Sequence, residues 1–336
     1  MNTGIRTRTL ITMLIILGVT DAGASGLEAI AGAVGGQSSC STAVTPTSIS
    51  LSFGGVFGIG TTGNGISDCG LQGSIQDNIA TKGPLTSTNT VAATVGEGSY
   101  TGSSSASSNY GSLGVAAHGN LIGVTNTFGV AQAGGFALFN DDLTFTSPTL
   151  TNGSSGHVVY TFTISGALTT PVPTPPFASQ NLAELAIRQD AFRQSIFTAT
   201  TYPDRATILG NPSYPGFTLS PGSIQGSGQF STVAIPVTLG TAEKLTVGLA
   251  AVSYPATGAT LDAHLNAVLS GIAFYDPSNN LLTNFSIRSA SGAVYSANGV
   301  SSVPIPATVW LFSSMLAGLA LMLKSQNRSE VSQRAG

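Results

Sequence analysis

Two cysteines, three histidines and a thin scatter of carboxylates are the side chains of this 336-residue sequence whose types could do chemistry. Cys40 and Cys69 are the only thiols. In an oxidising compartment two cysteines most simply pair, and closing the loop between them would stabilise a fold by roughly 3 to 4 kcal/mol. Free or metal-binding thiols are the alternative. His118, His157 and His264 stand far apart without metal-ligand spacing, and neither a G-x-S-x-G elbow nor an H-E-x-x-H pair occurs. His264 falls in an alternating run with Asp262 and Asn266, the pattern of a solvated strand face. Asp141 and Asp142 could ligate calcium, yet no series of spaced acidic ligands surrounds them. A glycosidase would need two carboxylates facing each other across a cleft, and nothing in the spacing selects such a pair. The hexapeptide GIGTTG, residues 58–63, has the glycine spacing of a phosphate cradle, but it is followed by the turn sequence NGISDCG where a helix would have to start. These spacings give no reason to expect a catalytic residue, a metal or a cofactor.

The elements that must position these residues are strands. Hydrophobic residues make up 42% of the chain, enough for a sizeable core, while charged residues make up only 7% against about 25% in an average globular protein. With 42 Gly, 16 Pro and abundant Ser and Thr, the composition favours many short strands and tight turns. Residues 25–303 carry 6 basic and 12 acidic side chains, a net charge of −6, and the remaining basic residues sit at the two ends. A mildly acidic body is a poor partner for nucleic acid, which needs a basic footprint.

Both ends read as membrane-directed. Residues 1–24 place Arg6 and Arg8 before an apolar run from Leu10 to Val19, then Ala22, Gly23 and Ala24. This is the layout of a signal peptide, with cleavage before Ser25. An uncleaved N-terminal anchor is the alternative, although an apolar run of about ten residues is short for a bilayer that needs about 20. At the other end, residues 306–323 are free of charge and as a helix would extend about 27 Å, close to the hydrocarbon thickness. Trp310 suits the interface, and Lys324 and Arg328 suit a cytoplasmic tail. A buried core helix is the other reading of this stretch. Pro304 and Pro306 hold the residues before it extended and remove two backbone donors.

The run Val303-Pro304-Ile305-Pro306-Ala307, then Val309-Trp310-Leu311-Phe312, a glycine-containing apolar stretch and a basic end, resembles the PEP-CTERM sorting signal in its VPxPA and WLF form. Ile305 stands where the namesake motif carries Glu. The resemblance covers residues 303–336. It implies export in a Gram-negative bacterium that makes exopolysaccharide, transient anchoring in the inner membrane, and recognition and cleavage by an integral-membrane exosortase. Weaker likenesses lie in FNDDLTFTSPTLTNGSSGHVVYTFTISGAL and TLDAHLNAVLSGIAFYDPSNNLLTNFSIRSASGAVY, which resemble in rhythm the β-rich ectodomains that precede this signal.

Within the body, residues 25–302, alternation predicts strands around Ile49 to Phe53, Val158 to Ile164, Val233 to Leu239 and Leu245 to Leu249. Pro236 predicts an edge strand or bulge, and Asp276 to Asn280 predicts a turn between two strands. Residues 98–114 read as a flexible loop or a serine-rich edge. Residues 179–197 place Leu182, Leu185, Phe192 and Ile196 on one helical stripe, with Glu184 and Arg188 four apart, and so predict one inserted amphipathic helix. The proline-rich segment 169–178 is either a connector within one domain or a divider between lobes 25–168 and 179–302. The expected architecture is therefore an all-β, β-sandwich-like ectodomain with one inserted helix, between a signal peptide and a C-terminal transmembrane helix.

These readings converge on an exported, non-enzymatic surface or exopolysaccharide-matrix protein of a biofilm, sorted by an exosortase-type system. A secreted carbohydrate-binding module is the alternative, with Tyr100, Tyr110, Tyr202 and Tyr214 as the aromatic candidates, and a secreted hydrolase is a third reading.

Overall fold

Alternation of apolar and hydroxyl-bearing residues turns into strand through most of the body. The computed structural model describes residues 25–37, 49–51, 59–61, 72–95, 97–123, 129–171, 179–210, 216–256 and 258–301. In chain order the strands begin with β1 (Gly26–Gln37), β2 (Ile49–Leu51), β3 (Ile59–Thr61), β4 (Gln72–Ala80), β5 (Leu85–Val95), β6 (Gly98–Asn109) and β7 (Ser112–Ile122). They continue with β8 (Gly129–Thr146), β9 (Ser155–Thr169), β10 (Gln180–Gln189), β11 (Phe192–Tyr202), β12 (Arg205–Leu209), β13 (Phe217–Ser220) and β14 (Ser223–Ser231). The last are β15 (Ile235–Thr238), β16 (Ala242–Tyr254), β17 (Ala259–Tyr275), β18 (Leu281–Leu282), β19 (Ser286–Ser289), β20 (Val294–Ser296) and β21 (Gly299–Ser301). No helix occurs among the described residues, and hence none there is long and apolar enough to cross a membrane.

Two antiparallel sheets carry the fold. The first runs β12-β11-β10-β16-β8-β1-β4, with β19 also on β8; the second runs β13-β14-β9-β17-β7-β6-β5, with β15 on β9 and β18 on β17. Between them lies one core. Phe139 and Phe145 of β8 and Leu245, Val247 and Leu249 of β16 meet Tyr160, Phe162 and Ile164 of β9 and Leu265 and Phe274 of β17, all almost fully buried. Aromatic pairs join the layers: Phe145 stacks on Phe274 at 5.7 Å, and Phe197 meets Phe230 edge-on at 5.1 Å. Each such ring removes a large apolar area from water and adds roughly 1 kcal/mol of pairing geometry.

Small residues set how closely the sheets approach. Tyr100 of β6 is fully buried, and a Cβ added to Gly35 would fall 2.1 Å from its ring, one added to Gly102 2.2 Å from its hydroxyl. Nearby, the hydroxyls of two inward serines cross the sandwich: Ser104 donates to the carbonyl of Gly32 at 3.0 Å, and Ser108 donates to the carbonyl of Leu138. The serine-rich segment 98–114 is therefore neither loop nor edge. It is the β6–β7 hairpin, and β6 lies inside the second sheet between β5 and β7. Its two inward serine hydroxyls are tolerated because each finds a carbonyl across the core.

The inserted helix is also overturned. Residues 180–189 and 192–202 are β10 and β11, a hairpin turned at Asp190, whose φ is 46°. A different, period-two pattern runs through the same stretch: Ala183, Leu185 and Ile187 point into the core, while Leu182, Glu184 and Arg188 share the other face of one strand. Two facts favour the strand. β16 offers a ten-residue antiparallel ladder to β10, and residues 192–201 are rich in the aromatic and β-branched types that suit a pleated surface. Strands from before and after residues 169–178 share both sheets, so the described strands do not fall into two lobes at that point.

Other expectations hold. β15, with its exposed Pro236, pairs with β9 on one side. Asp276 to Asn280 forms the expected turn, in which Asp276 accepts from the backbone N–H of Ser278 and of Asn280, each at 2.8 Å. These bonds and the Asn280 side-chain amide hold the Asp276 carboxyl below its ordinary value.

Candidate functional site

In the second sheet the core takes every other residue, and the residues between them form a continuous outward face. Register places them in cross-strand rows. Thr90 is followed by Ser103, His118, Asp262 and Thr169; Thr88 by Ser105, Ala116, His264 and Ala167; Thr86 by Ser107, Gly114, Asn266 and Ser165. Rows of this kind are about 4.8 Å apart from strand to strand. Along these three rows the side chains are mostly hydroxyl and amide, with one ion pair and one further imidazole.

That ion pair joins His118 Nδ1 and Asp262 Oδ1 at 2.6 Å, and Ser103 lies directly across from His118 on β6. Serine, histidine and aspartate in one row have the residue types of an acyl-transfer triad. The backbone of that row offers no oxyanion donor, for a topological reason: in three adjacent interior strands the N–H groups are committed to the ladder, so none is aimed outward. The side chains of His118 and Asp262 are 41% and 56% exposed, which leaves the pair in water. It braces two strands.

Beside it the face dips. Gly114 and Ala116 on β7 form the floor of a trough of about 310 Å³ that reaches across β5, β6, β7 and β17. Thr86, Thr88, Ser105 and Ser107 make one wall, His264 and Asn266 the other. The walls lean over Gly114, where an added Cβ would come 2.6 Å from Ser107 Oγ and 2.8 Å from Asn266 Oδ1. Elsewhere on the face hydroxyls and amides pair with each other, as in Thr260 with Asn120 at 3.1 Å and Thr163 with Ser270 at 2.9 Å.

Three buried polar groupings lie inside the sandwich. Asp141, fully buried on β8, accepts from Ser289 Oγ at 2.6 Å, from Ser291 Oγ at 2.6 Å and from the Ser291 backbone N–H at 3.0 Å, tying residues 289–291 to the body. Glu243 accepts from the Gln189 side-chain amide and from the Thr238 backbone N–H, each at 2.7 Å; burial nevertheless raises its carboxyl above the ordinary value. Burial pushes the phenols of Tyr160 and Tyr295 up, with the charges of Glu243 and Asp141 adding to it respectively. Asn181 donates to the carbonyls of Thr169 and Asp262 and accepts from Ser253 Oγ at 2.6 Å, a clasp between the two sheets. All three groupings are explained by the fold they stabilise.

The aromatic candidates do not assemble. Tyr100 is in the core, Tyr110 donates to the carbonyl of Thr81, and the Tyr202 ring sits under the Arg205 guanidinium at 4.2 Å. Tyr214 lies outside the described residues. His264, Asp262 and Asn266 do share a strand face exposed to solvent. Asp141 and Asp142 point to opposite faces of β8, and among the described residues no three His, Cys, Asp or Glu side chains come together as a metal group. Ile59–Thr61 of the GIGTTG segment is the short strand β3. Ser25 is the first described residue. Ala22, Ala24, Cys40, Cys69 and the sorting-signal residues Val303, Pro304, Ile305, Pro306, Ala307, Trp310, Leu311, Phe312, Lys324 and Arg328 lie outside the described residues. The His118–Asp262 pair was missed from sequence, because it joins residues 144 positions apart through a register that no local pattern encodes. No family model, curated protein or solved structure matches the chain.

Proposed function

We propose that this chain is an exported, non-enzymatic surface or matrix protein, delivered by an exosortase-type system and associated with extracellular polysaccharide. The observation that carries this reading is the fit between the body and the two end signals. β1 starts at Gly26, one residue past the expected cleavage before Ser25, and β21 ends at Ser301, two residues before Val303. Removing residues 1–24 and the sorting signal would leave every strand of both sheets intact.

The same reading accounts for the cysteines. The β1–β4 ladder pairs Gly35 with Gln72, so the two chain ends leading to Cys40 and Cys69 leave the sheet side by side. A disulfide between them would close off residues 41–68 at their base.

Mass spectrometry of the protein released at the cell surface tests both parts. The expected species begins at Ser25, lacks residues 316–324, and takes up no alkylating reagent at Cys40 or Cys69 before reduction. A surface-released form that retained residues 316–324 would sink the sorting proposal, and two alkylatable thiols would sink the bridge.

A further inference from the structure

We infer that the trough across β5, β6, β7 and β17 is a binding site for an extended, uncharged polyhydroxylated chain, a neutral polysaccharide. Its walls offer Thr86, Thr88, Ser105, His264 and Asn266, none of whose side chains makes a hydrogen bond to another described residue. Hydroxyl and amide side chains both donate and accept, and the ligand that matches such a surface is one whose own groups do both: sugar hydroxyls. Charge points the same way. The trough holds no carboxylate, ammonium or guanidinium, and Asp262 and the body's net charge of −6 disfavour an anionic chain.

Shape sets the remaining terms. The trough crosses three strand intervals, about 14 Å, on an otherwise flat sheet. It is long and shallow, which suits a segment of a polymer and not an engulfed small molecule. No Phe, Tyr or Trp ring lines it, so each contact lacks the broad stacking that makes tight glycan sites tight. Affinity for one segment is therefore low, and retention comes from many copies along one polymer. This deepens the matrix reading and rests on it only for where the polysaccharide is met.

The test is native electrophoresis of the full-length chain in zwitterionic detergent, in gels cast with dextran, mixed-linkage β-glucan, galactomannan or alginate. Retardation is expected in at least one of the three neutral gels and not in the anionic alginate. Ala116→Gln, which fills the floor, and the double variant H264A/N266A, which removes a wall, should each weaken binding roughly tenfold, equivalent to about 1.4 kcal/mol. Thr260→Ala, on the same face outside the trough, should bind as the parent does, and thermal melts of all variants should coincide. Retardation in alginate alone, in no gel, or undiminished in both trough variants would overturn the site. None of these outcomes bears on the mass of the processed chain, so this inference and the sorting proposal fail separately.

Discussion

On β8 and β16 the residues that point away from the main core include Phe136, Leu138, Ala250 and Val252, all buried; on β5 and β17 the equivalent positions are Thr86, Thr88, Asp262, His264 and Asn266, all exposed. Along β8 and β16 the first sheet is thus covered on both sides. β2 contacts β1, β8 and β16, and β3 contacts β8, so these two short strands lie against that part of the sheet. The second sheet keeps its outward side for solvent. What differs is written in the strands themselves: β16 reads AEKLTVGLAAVSY, almost continuously apolar from Leu245 onward, whereas β5 reads LTSTNTVAATV and alternates. A continuous run signals two buried faces and an alternating run signals one. The comparison assigns structure to one outward face and leaves the other available for contact.

Three measurements can break or sharpen that contrast. The largest effect is expected at Phe136, which is 2% exposed on the covered face. Phe136→Ala should lower the unfolding free energy by about 3 to 5 kcal/mol in urea titrations, and a loss below about 1 kcal/mol would mean that the face is not covered in solution.

An intermediate effect is expected at Glu28, on the same face of β1. Burial, reinforced by the charge of Asp77, raises its carboxyl from 4.5 to about 7. A raised carboxyl binds its proton more tightly in the folded chain than in the unfolded one. Its contribution is therefore fully present below pH 4.5 and is lost as pH rises through about 7. Between those limits Glu28 should account for a loss on the order of 2 kcal/mol; Glu28→Gln should flatten the slope by that share and leave the part due to other raised carboxyls such as Glu243.

The smallest effect belongs to the open face. Thr88→Ala should change stability by less than about 0.5 kcal/mol, since the exposed hydroxyl has only water to lose. A larger change would show that the trough wall is structural.

The sequence was most legible where each residue answered to its nearest neighbours. The strands from Val158 to Ile164 and from Leu245 to Leu249, the edge position of Pro236 and the Asp276 turn all follow from period two and turn chemistry. Residues 179–197 were misread because Leu182, Leu185, Phe192 and Ile196 satisfy a helical stripe, while the partner that decides for strand, β16, lies more than fifty residues further on. The serine run of β6 was misread for a related reason. Ser104 and Ser108 look like solvated residues until the carbonyls of Gly32 and Leu138 are placed opposite them. The trough needed both kinds of information. His264 was visible as a strand-face residue, but its neighbours Thr88, Ser105 and Ala116 come from strands paired through hairpins and a long crossover.

The Asp141 clasp has a mechanical side. Tension on the chain beyond Ser301 would enter the body through the β20–β21 hairpin, then through residues 289–291 held by one carboxylate, and then through the four-residue pairing of β19 with β8. Only after those had yielded would it reach the long β16–β8 and β17–β9 ladders. Residues 286–301 are therefore the first strands such a pull would meet, and they include β19, a strand of the first sheet itself.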